Sequence, residues 1–143
     1  MFVKQISVFL ENTRGSLFEL TRVLADGKVD LIALSIADTE NYGILRCIVS
    51  DTEKAVQLLR DDGYTVKVTD VLAVAVPDAP GGLHKVLSCF DENGISVEYL
   101  YSFVRRVDGK AHVIVRADDR EAAAKVLRAA GAEMIGEEQV RSL

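Results

Sequence analysis

The sequence contains little proline and cysteine and no tryptophan: its 143 residues include two Pro, two Cys and no Trp. Few prolines together with 49% hydrophobic residues are typical of a folded globular protein and exclude a disordered, proline-rich chain. Neither Cys47 nor Cys89 has a second cysteine or a histidine at metal-ligand spacing, and both lie in apolar stretches. We therefore predict that both are small core residues, and that the chain binds neither a metal nor a cofactor.

Long hydrophobic runs and an excess of basic residues are also absent. No run approaches the roughly 20 apolar residues that span a bilayer, and residues 1–6 lack the charged and apolar regions of a signal peptide. We therefore expect a cytoplasmic protein with no membrane partner. The 17 basic and 22 acidic residues give a net charge of −5, which argues against a nucleic-acid partner because counterion release needs a cationic surface.

The signatures of catalytic sites are missing as well. The sequence contains no Gly-x-Ser-x-Gly, no phosphate-binding loop and no His-Glu-x-x-His. Its two histidines, His84 and His112, have no partners at the spacing of a zinc site or a catalytic dyad. Aromatic residues make up 6% of the chain and form no RNA-recognition pattern. We predict that the chain is not an enzyme and has no catalytic residues.

What the sequence does contain is an internal repeat. The segment Asn12-Thr13-Arg14-Gly15-Ser16-Leu17 returns 66 residues later as Asp78-Ala79-Pro80-Gly81-Gly82-Leu83. The offset grows to 67 residues at Asp51/Asp118 and to 68 residues at Gly63/Gly131. A repeat of this length is one small domain present twice, which predicts domains at residues 1–69 and 70–143.

Hydrophobic periodicity predicts the same order of elements in both copies: strand, helix, strand, strand, helix, strand. In the first copy the strands are predicted at 5–10, 29–37, 44–49 and 64–68, and the helices begin at Ser16 and after Asp51. In the second copy the strands are predicted at 71–76, 95–104, 111–116 and 133–140, and the helices at 82–92 and 120–130. This order predicts an α+β fold of two ferredoxin-like βαββαβ sandwiches, with antiparallel sheets and the helices on one face.

One predicted strand is apolar at every position, from Val71 to Val76. A strand with one wet face alternates between apolar and polar residues, whereas a continuous apolar run indicates that both faces are covered. We expect the second face to be covered by the other repeat or by a second chain, and we predict a homodimer.

Each repeat places a polar turn containing glycine between its first strand and its first helix. In a purely structural interpretation, Gly15 and Gly81 supply the unusual φ of a tight connection, and Asn12 and Asp78 bond to the backbone. In a functional interpretation, the helix N-terminus receives a carboxylate and Asp78 meets an α-ammonium. The N–H groups that would bind the carboxylate are those of Ser16, Leu17, Gly82 and Leu83. The motif alone leaves both interpretations open.

Two tyrosines, Tyr99 and Tyr101, lie two residues apart in a predicted strand, so they share one face of the sheet. They are either packing residues at a seam between domains, where tyrosine is common, or the walls of a ligand pocket. The sequence does not decide between these two roles.

In three features the repeat resembles an ACT domain: the βαββαβ order, the turn after the first strand, and the entry to the second strand. The turn follows an Asp/Asn-x-x-Gly-x-Leu pattern in both copies, and the strand entries read Lys28-Val29-Asp30-Leu31 and Gly94-Ile95-Ser96-Val97. The second copy has the usual Asp-x-Pro-Gly form, whereas the first has Arg14 in place of proline and Lys28 in place of glycine.

This resemblance implies a non-enzymatic regulatory module that binds a free amino acid at interfaces between ACT units, where the turn of one unit faces the second strand of a neighbour. The residues that it implicates in ligand binding come from the two turns and one strand: Asn12, Arg14, Gly15, Ser16, Leu17, Asp78, Pro80, Gly81, Gly82, Leu83, Ile95, Tyr99 and Tyr101. The alternative is an assembly subunit of an amino-acid-metabolism enzyme that has no ligand of its own.

Overall fold

The computed structural model describes residues 2–105 and 107–143. These residues form two compact units, which we name the N-terminal unit and the C-terminal unit. The N-terminal unit is Lys4–Asp70, and the C-terminal unit is Val71–Leu143 together with Phe2 and Val3.

In the N-terminal unit the elements are β1 (Val3–Glu11), α1 (Ser16–Asp26), β2 (Leu31–Asp38), β3 (Tyr42–Val49), α2 (Thr52–Asp61) and the start of β4 (Val66–Pro77). The strands lie in the order β2-β3-β1-β4, and β3 is antiparallel to both of its neighbours. As predicted, β1 alternates between its two faces. Ile6 and Val8 are buried in the core with the helix residues Leu20 and Leu59, whereas Phe9 is 49% exposed.

The C-terminal unit continues with α3 (Gly82–Glu92), β5 (Val97–Ser102), β6 (Lys110–Ala117), α4 (Arg120–Ala129), β7 (Glu133–Met134) and α5 (Glu137–Arg141). In its sheet β6 lies between β4 and β5, β7 also pairs with β4, and all of these pairs are antiparallel. Leu72, Val74 and Val76 pack in one core with Phe90 of α3 and Leu127 of α4. Both units thus confirm the predicted ferredoxin-like fold, with antiparallel sheets and helices on one face.

The helices α1, α2, α3 and α4 are amphipathic, and each is longer than α5. α1 and α3 contain 11 residues each, and α2 and α4 contain 10. Asp51 and Asp119 cap α2 and α4: their carboxylates accept hydrogen bonds from the N–H groups of Lys54 (3.1 Å) and Ala122 (3.0 Å). No helix in the described part of the chain is long enough and apolar enough to cross a membrane.

The apolar run in β4 is buried on both faces within a single chain. Leu72, Val74 and Val76 contribute to the core under the helices, and Ala73, on the opposite face, is also fully buried beside Ile114 of β6. The prediction that both faces are covered is therefore confirmed. Because one chain already buries the run, the run gives no reason for a second copy, and the homodimer stays a prediction.

Three strand predictions are wrong in their extent. The strands expected at 64–68 and 71–76 are the single strand β4, because Thr69 and Asp70 include neither glycine nor proline to interrupt it. The strand expected at 133–140 ends after two residues and is followed by α5. Helix-forming residues follow Gly136, and the side chain of Gln139 accepts a hydrogen bond from the Gly136 N–H at 3.0 Å.

His112 of β6 is a buried titratable group that predicts a pH dependence of stability. Its side chain is 7% exposed, its ring lies 5.7 Å from that of Phe103, and its Nδ1 has no hydrogen-bond partner in the described part of the chain. Burial lowers the pKa of His112; Glu133 opposes this effect and Lys110 adds to it. Below about pH 6.5 the unfolded chain therefore binds more protons at this residue than the folded chain, so the free energy of unfolding falls as the pH falls.

We expect His112→Leu to remove this part of the pH dependence, whereas replacement of the exposed His84 by glutamine should preserve it. The measurement is the midpoint of urea unfolding at pH 7.5 and pH 5.5 for the two variants and the wild type. If the urea midpoint falls equally from pH 7.5 to pH 5.5 in the wild type and in His112→Leu, the prediction is contradicted.

Candidate functional site

The two turns between first strand and first helix have the same backbone geometry. Gly15 and Gly81 adopt φ values of 88° and 83°, which lie in the left-handed region, and each directly precedes a helix. This conformation favours glycine because it carries no Cβ. The structural interpretation of the two glycines is therefore confirmed.

The first N–H group of each helix is engaged within its own turn. The Ser16 N–H donates to the Thr13 carbonyl (3.3 Å), and the Gly82 N–H donates to the Ala79 carbonyl (3.0 Å). The expectation that these two N–H groups are free for a carboxylate is wrong, because the turn closes on itself before the helix begins. Among the described residues, the next N–H groups, those of Leu17 and Leu83, donate no hydrogen bond.

In the N-terminal unit the turn forms one wall of a cavity of about 480 Å³, which is within the usual size range of small-molecule sites. We name it the N-terminal cavity. It is lined by Phe9, Leu10 and Glu11 of β1, by Arg14 and Gly15, by Ser16 and Glu19 of α1, and by Gly63, Tyr64 and Thr65, which precede β4. Three residues implicated from the sequence, Arg14, Gly15 and Ser16, thus lie together on one cavity.

The N-terminal cavity presents both signs of charge. Within the described part of the chain, the Arg14 guanidinium and the Glu11 carboxylate have no ion-pair partner within 4.0 Å. Glu19 instead accepts hydrogen bonds from Arg22 at 3.0 and 3.2 Å. One cation and one carboxylate are therefore available on the same cavity.

Tyr64 adds a hydroxyl group to the N-terminal cavity. Burial, and after it the negative charges of Asp62 and Glu19, raise the pKa of Tyr64, while Arg22 acts in the opposite direction. The phenol therefore keeps its proton at neutral pH and can donate a hydrogen bond.

The remaining turn residues hold the turns to neighbouring loops. The side-chain amide of Asn12 donates to the Thr39 carbonyl (3.4 Å), and the backbone N–H of Asn12 donates to the Asn41 carbonyl (3.2 Å). The Asp78 backbone N–H donates to the Gly109 carbonyl at 3.1 Å. Neither Asn12 nor Asp78 is among the residues that line the cavity of its unit, and the contact of Asp78 with an α-ammonium stays a prediction.

Ile95, which precedes β5, and the two implicated tyrosines of β5 do not line the cavity of their unit. Ile95 is half-buried against the C-terminal core. Tyr99 and Tyr101 pair with Arg116 and Ile114 across the sheet and share one face, as predicted. Tyr101 is buried, which agrees with a packing role; a ligand contact of either tyrosine stays a prediction, as it does for the exposed turn residue Pro80.

The C-terminal unit has a second cavity at the equivalent position of the repeat. We name it the C-terminal cavity; its volume is about 350 Å³. Gly82, Lys85 and Ala132 line it, and they correspond in the repeat to Ser16, Glu19 and Tyr64 of the N-terminal cavity. Of the residues implicated from the sequence, Gly82 alone lies among those that line it.

Sequence reasoning missed most of the charged residues of both cavities. These are Glu11 and Glu19 in the N-terminal cavity and Lys85, Lys110 and Glu133 in the C-terminal cavity. The matching glycines Gly63 and Gly131, with φ values of 90° and 73°, were the signal that the loop before the last strand of each repeat belongs to the site.

The two cysteines differ from one another. Cys47 is fully buried, as predicted, and burial raises its pKa to about 12. Cys89 is half-buried and lines the C-terminal cavity, so the prediction of a core role is wrong for this residue. Adjacent residues of a helix do not share one face, so Cys89 does not face the core as its neighbour Phe90 on α3 does. No group of three or more His, Cys, Asp or Glu side chains in the described residues could hold a metal ion.

Comparison with known proteins identifies the family. The sequence model of the ACT domain pair matches residues 1–143. The chain belongs to the ACT domain pair family. This ACT domain pair is similar to the crystal structure of protein BT0572 from Bacteroides thetaiotaomicron, with 38% identity, a TM-score of 0.93, and coverage of 100% of this chain and 98% of that chain.

More distant structures share the fold of the ACT domain pair. The ligand-free regulatory subunit of aspartate kinase from Thermus thermophilus has 16% identity and a TM-score of 0.63, covering 89% of this chain and 91% of that chain. The corresponding subunit from Thermus flavus has 17% identity and a TM-score of 0.58, covering 90% of this chain and 92% of that chain. None of the curated proteins matches the chain.

Proposed function

We propose that this ACT domain pair is a non-catalytic regulatory protein that binds a free amino acid in the N-terminal cavity. The observation that carries the proposal is that the cation Arg14 and the carboxylate Glu11 lie on one cavity and that neither has an ion-pair partner among the described residues. A free amino acid carries the complementary pair of charges, one carboxylate and one ammonium, on a single carbon.

The lining of the N-terminal cavity suits such a ligand. The Arg14 guanidinium can donate two parallel hydrogen bonds to the ligand carboxylate, and the unpaired N–H of Leu17 lies at the positive end of the α1 dipole nearby in sequence. The Glu11 carboxylate can accept from the α-ammonium. The protonated Tyr64 hydroxyl is then available for a polar side chain of the ligand.

The comparisons support a regulatory role. ACT domain pairs are a regulatory type of domain, and the two Thermus structures of the same fold are regulatory subunits of aspartate kinase. By analogy, ligand binding here would alter the affinity of the domain pair for an enzyme of amino-acid metabolism. That the ligand also touches a neighbouring ACT unit stays a prediction.

The test is isothermal titration of the full chain with each of the twenty amino acids. For the amino acid that binds, we expect Arg14→Gln to weaken binding by about 1.5–3 kcal/mol, the range for hydrogen bonds to charged groups, or roughly 10- to 150-fold in Kd. Glu11→Gln should weaken the binding of the amino acid, because the contact with its ammonium is lost. It should not weaken the binding of the same acid without the amino group.

Lys54→Gln is the matched control, since it removes one positive charge from an exposed position on α2 outside the cavity. It should leave the Kd unchanged. A ligand that binds the folded state must also raise the melting temperature at saturation. If all twenty amino acids leave both the heat signal and the melting temperature unchanged at millimolar concentration, the proposal is contradicted.

That outcome would favour the alternative of an assembly subunit. The alternative has one observation in its support: the N-terminal unit exposes large hydrophobic side chains that include the aromatic residues Phe9, Phe18 and Tyr42, of which Phe18 is 68% exposed. Exposed apolar side chains of this size occur at protein interfaces. They could serve a partner enzyme or the predicted homodimer.

A further inference from the structure

The two cavities occupy equivalent positions of the repeat but differ in their charges. Glu11, which supplies the unpaired carboxylate of the N-terminal cavity, corresponds to Pro77, which has no side-chain acceptor. Glu19 corresponds to Lys85, so a negative charge is replaced by a positive one. The internal repeat thus brings two different sets of charged groups to the same place in the fold.

In the C-terminal cavity the available charge is a cation. Lys110 and Glu133 form an ion pair with each other, so the carboxylate of Glu133 is engaged. In the part of the chain that the structure describes, no carboxylate lies within 4.0 Å of the Lys85 ammonium. Among the described residues that line it, the cavity therefore offers an unpaired ammonium for an anion and no unpaired carboxylate for an ammonium.

The rest of the C-terminal cavity is apolar. Val76, Val86 and Leu127 line it and also belong to the core of the unit. The position that Tyr64 occupies in the N-terminal cavity is Ala132 here, which replaces a hydroxyl-bearing ring by a methyl group. A small apolar pocket with a few polar groups at fixed positions is the usual form of a small-molecule site.

We propose that the C-terminal cavity binds a small carboxylate with a short aliphatic body and no α-ammonium. The ligand carboxylate contacts Lys85, and the aliphatic body lies against Val86 and Leu127. This site is separate from the amino-acid site proposed above and does not depend on it, because its residues all belong to the C-terminal unit.

The test is isothermal titration of the full chain with four probes: 4-methylpentanoate, its uncharged amide, acetate, and leucine, which carries the same body with an added ammonium. We expect 4-methylpentanoate to bind at one site per chain. The amide lacks the charge for Lys85 and acetate lacks the apolar body, so both should bind at least tenfold more weakly. Equal binding of the acid and its amide, or no binding of the acid, would overturn the proposal.

Two substitutions assign the binding to this cavity. Lys85→Gln should weaken the binding of 4-methylpentanoate at least tenfold. Lys67→Gln removes the same charge from an exposed position of the N-terminal unit and should leave this binding unchanged. Ala132→Tyr places the side chain of the equivalent repeat position in the cavity and should abolish binding while the fold is kept. Unaltered affinity in both Lys85→Gln and Ala132→Tyr would refute the site.

Cys89 supplies a second readout, because it lies on the C-terminal cavity and not on the N-terminal cavity. Cys89 lines the C-terminal cavity, whereas Cys47 is fully buried and its thiol stays protonated. Saturating 4-methylpentanoate should slow the alkylation of Cys89 by iodoacetamide at least tenfold in the wild type. Leucine should not slow it, because its added ammonium finds no unpaired carboxylate among the described residues that line the C-terminal cavity. The failure of one site is therefore distinguishable from the failure of the other. An alkylation rate that 4-methylpentanoate leaves unchanged would count against the proposal.

Discussion

Replacement of Phe90 by alanine is expected to lower the free energy of unfolding of the C-terminal unit by about 3–5 kcal/mol. Phe90 is 1% exposed and packs in the core of that unit with Leu72, Val74 and Leu127. The loss combines the transfer of apolar surface to water with the cavity that the missing ring leaves. Val86, one helical turn before Phe90, cannot fill that cavity because it already contacts the same core.

The measurement is urea unfolding with amide hydrogen exchange as the probe, because exchange reports the protection of each unit separately. Leu24→Ala is the matched variant, since Leu24 occupies the equivalent repeat position and is buried in the core of the N-terminal unit. It should lower the protection of the N-terminal unit by a comparable amount, about 2–5 kcal/mol. A loss below about 1 kcal/mol in Phe90→Ala would contradict the core position of the ring.

Replacement of Gly82 by serine is expected to cost about 3 kcal/mol, the upper end of the range for overpacking. A Cβ at this position would collide with the backbone oxygen of Pro77 and lie 3.2 Å from the Pro77 carbonyl carbon. That oxygen cannot move away freely, because it accepts a hydrogen bond from the Ala79 N–H at 2.9 Å. The turn must therefore open before any side chain fits.

The repeat provides the control for this substitution. Ser16 occupies the equivalent position in the N-terminal unit, where its hydroxyl lies 2.8 Å from that of Thr13, so a side chain fits that turn. We expect Ser16→Gly to change the free energy of unfolding by no more than about 1 kcal/mol, the helix-propensity cost of glycine. Both variants are compared by urea unfolding. A Gly82→Ser protein as stable as the wild type would show that the C-terminal turn opens without cost.

Gly82 also changes how a ligand role of this turn can be tested. Proline at position 82 would remove the hydrogen bond to Ala79 and introduce the same collision with Pro77. Lost binding in such a variant would report an unfolded turn and not a missing donor. Lys85, which lines the same cavity from the second turn of α3, is the better residue for this purpose.

The sequence by itself determined the repeat, the order of strands and helices, and the residues that face the core. The alternation of Ile6 and Val8 with Phe9 identified the buried face of β1, because side chains two residues apart share one face of a strand. Gly15 and Gly81 marked the left-handed turns, because glycine alone adopts that backbone at little cost. These are local patterns, and they carried enough information for the fold and for the ACT resemblance.

Only the tertiary structure decided which groups line the two cavities. Glu11 and Tyr64 are far apart in the sequence, and they meet because the end of β1 lies beside the loop that precedes β4. Likewise Lys85 of α3, Lys110 of β6 and Glu133 of β7 come from three different elements and line one cavity. Whether a charge is free also depends on its neighbours in space: Glu133 is engaged by Lys110, whereas Lys85 has no such partner in the described part of the chain. Pattern and periodicity describe neighbours along one element, whereas a binding site depends on how separate elements pack, and that is set by the whole core.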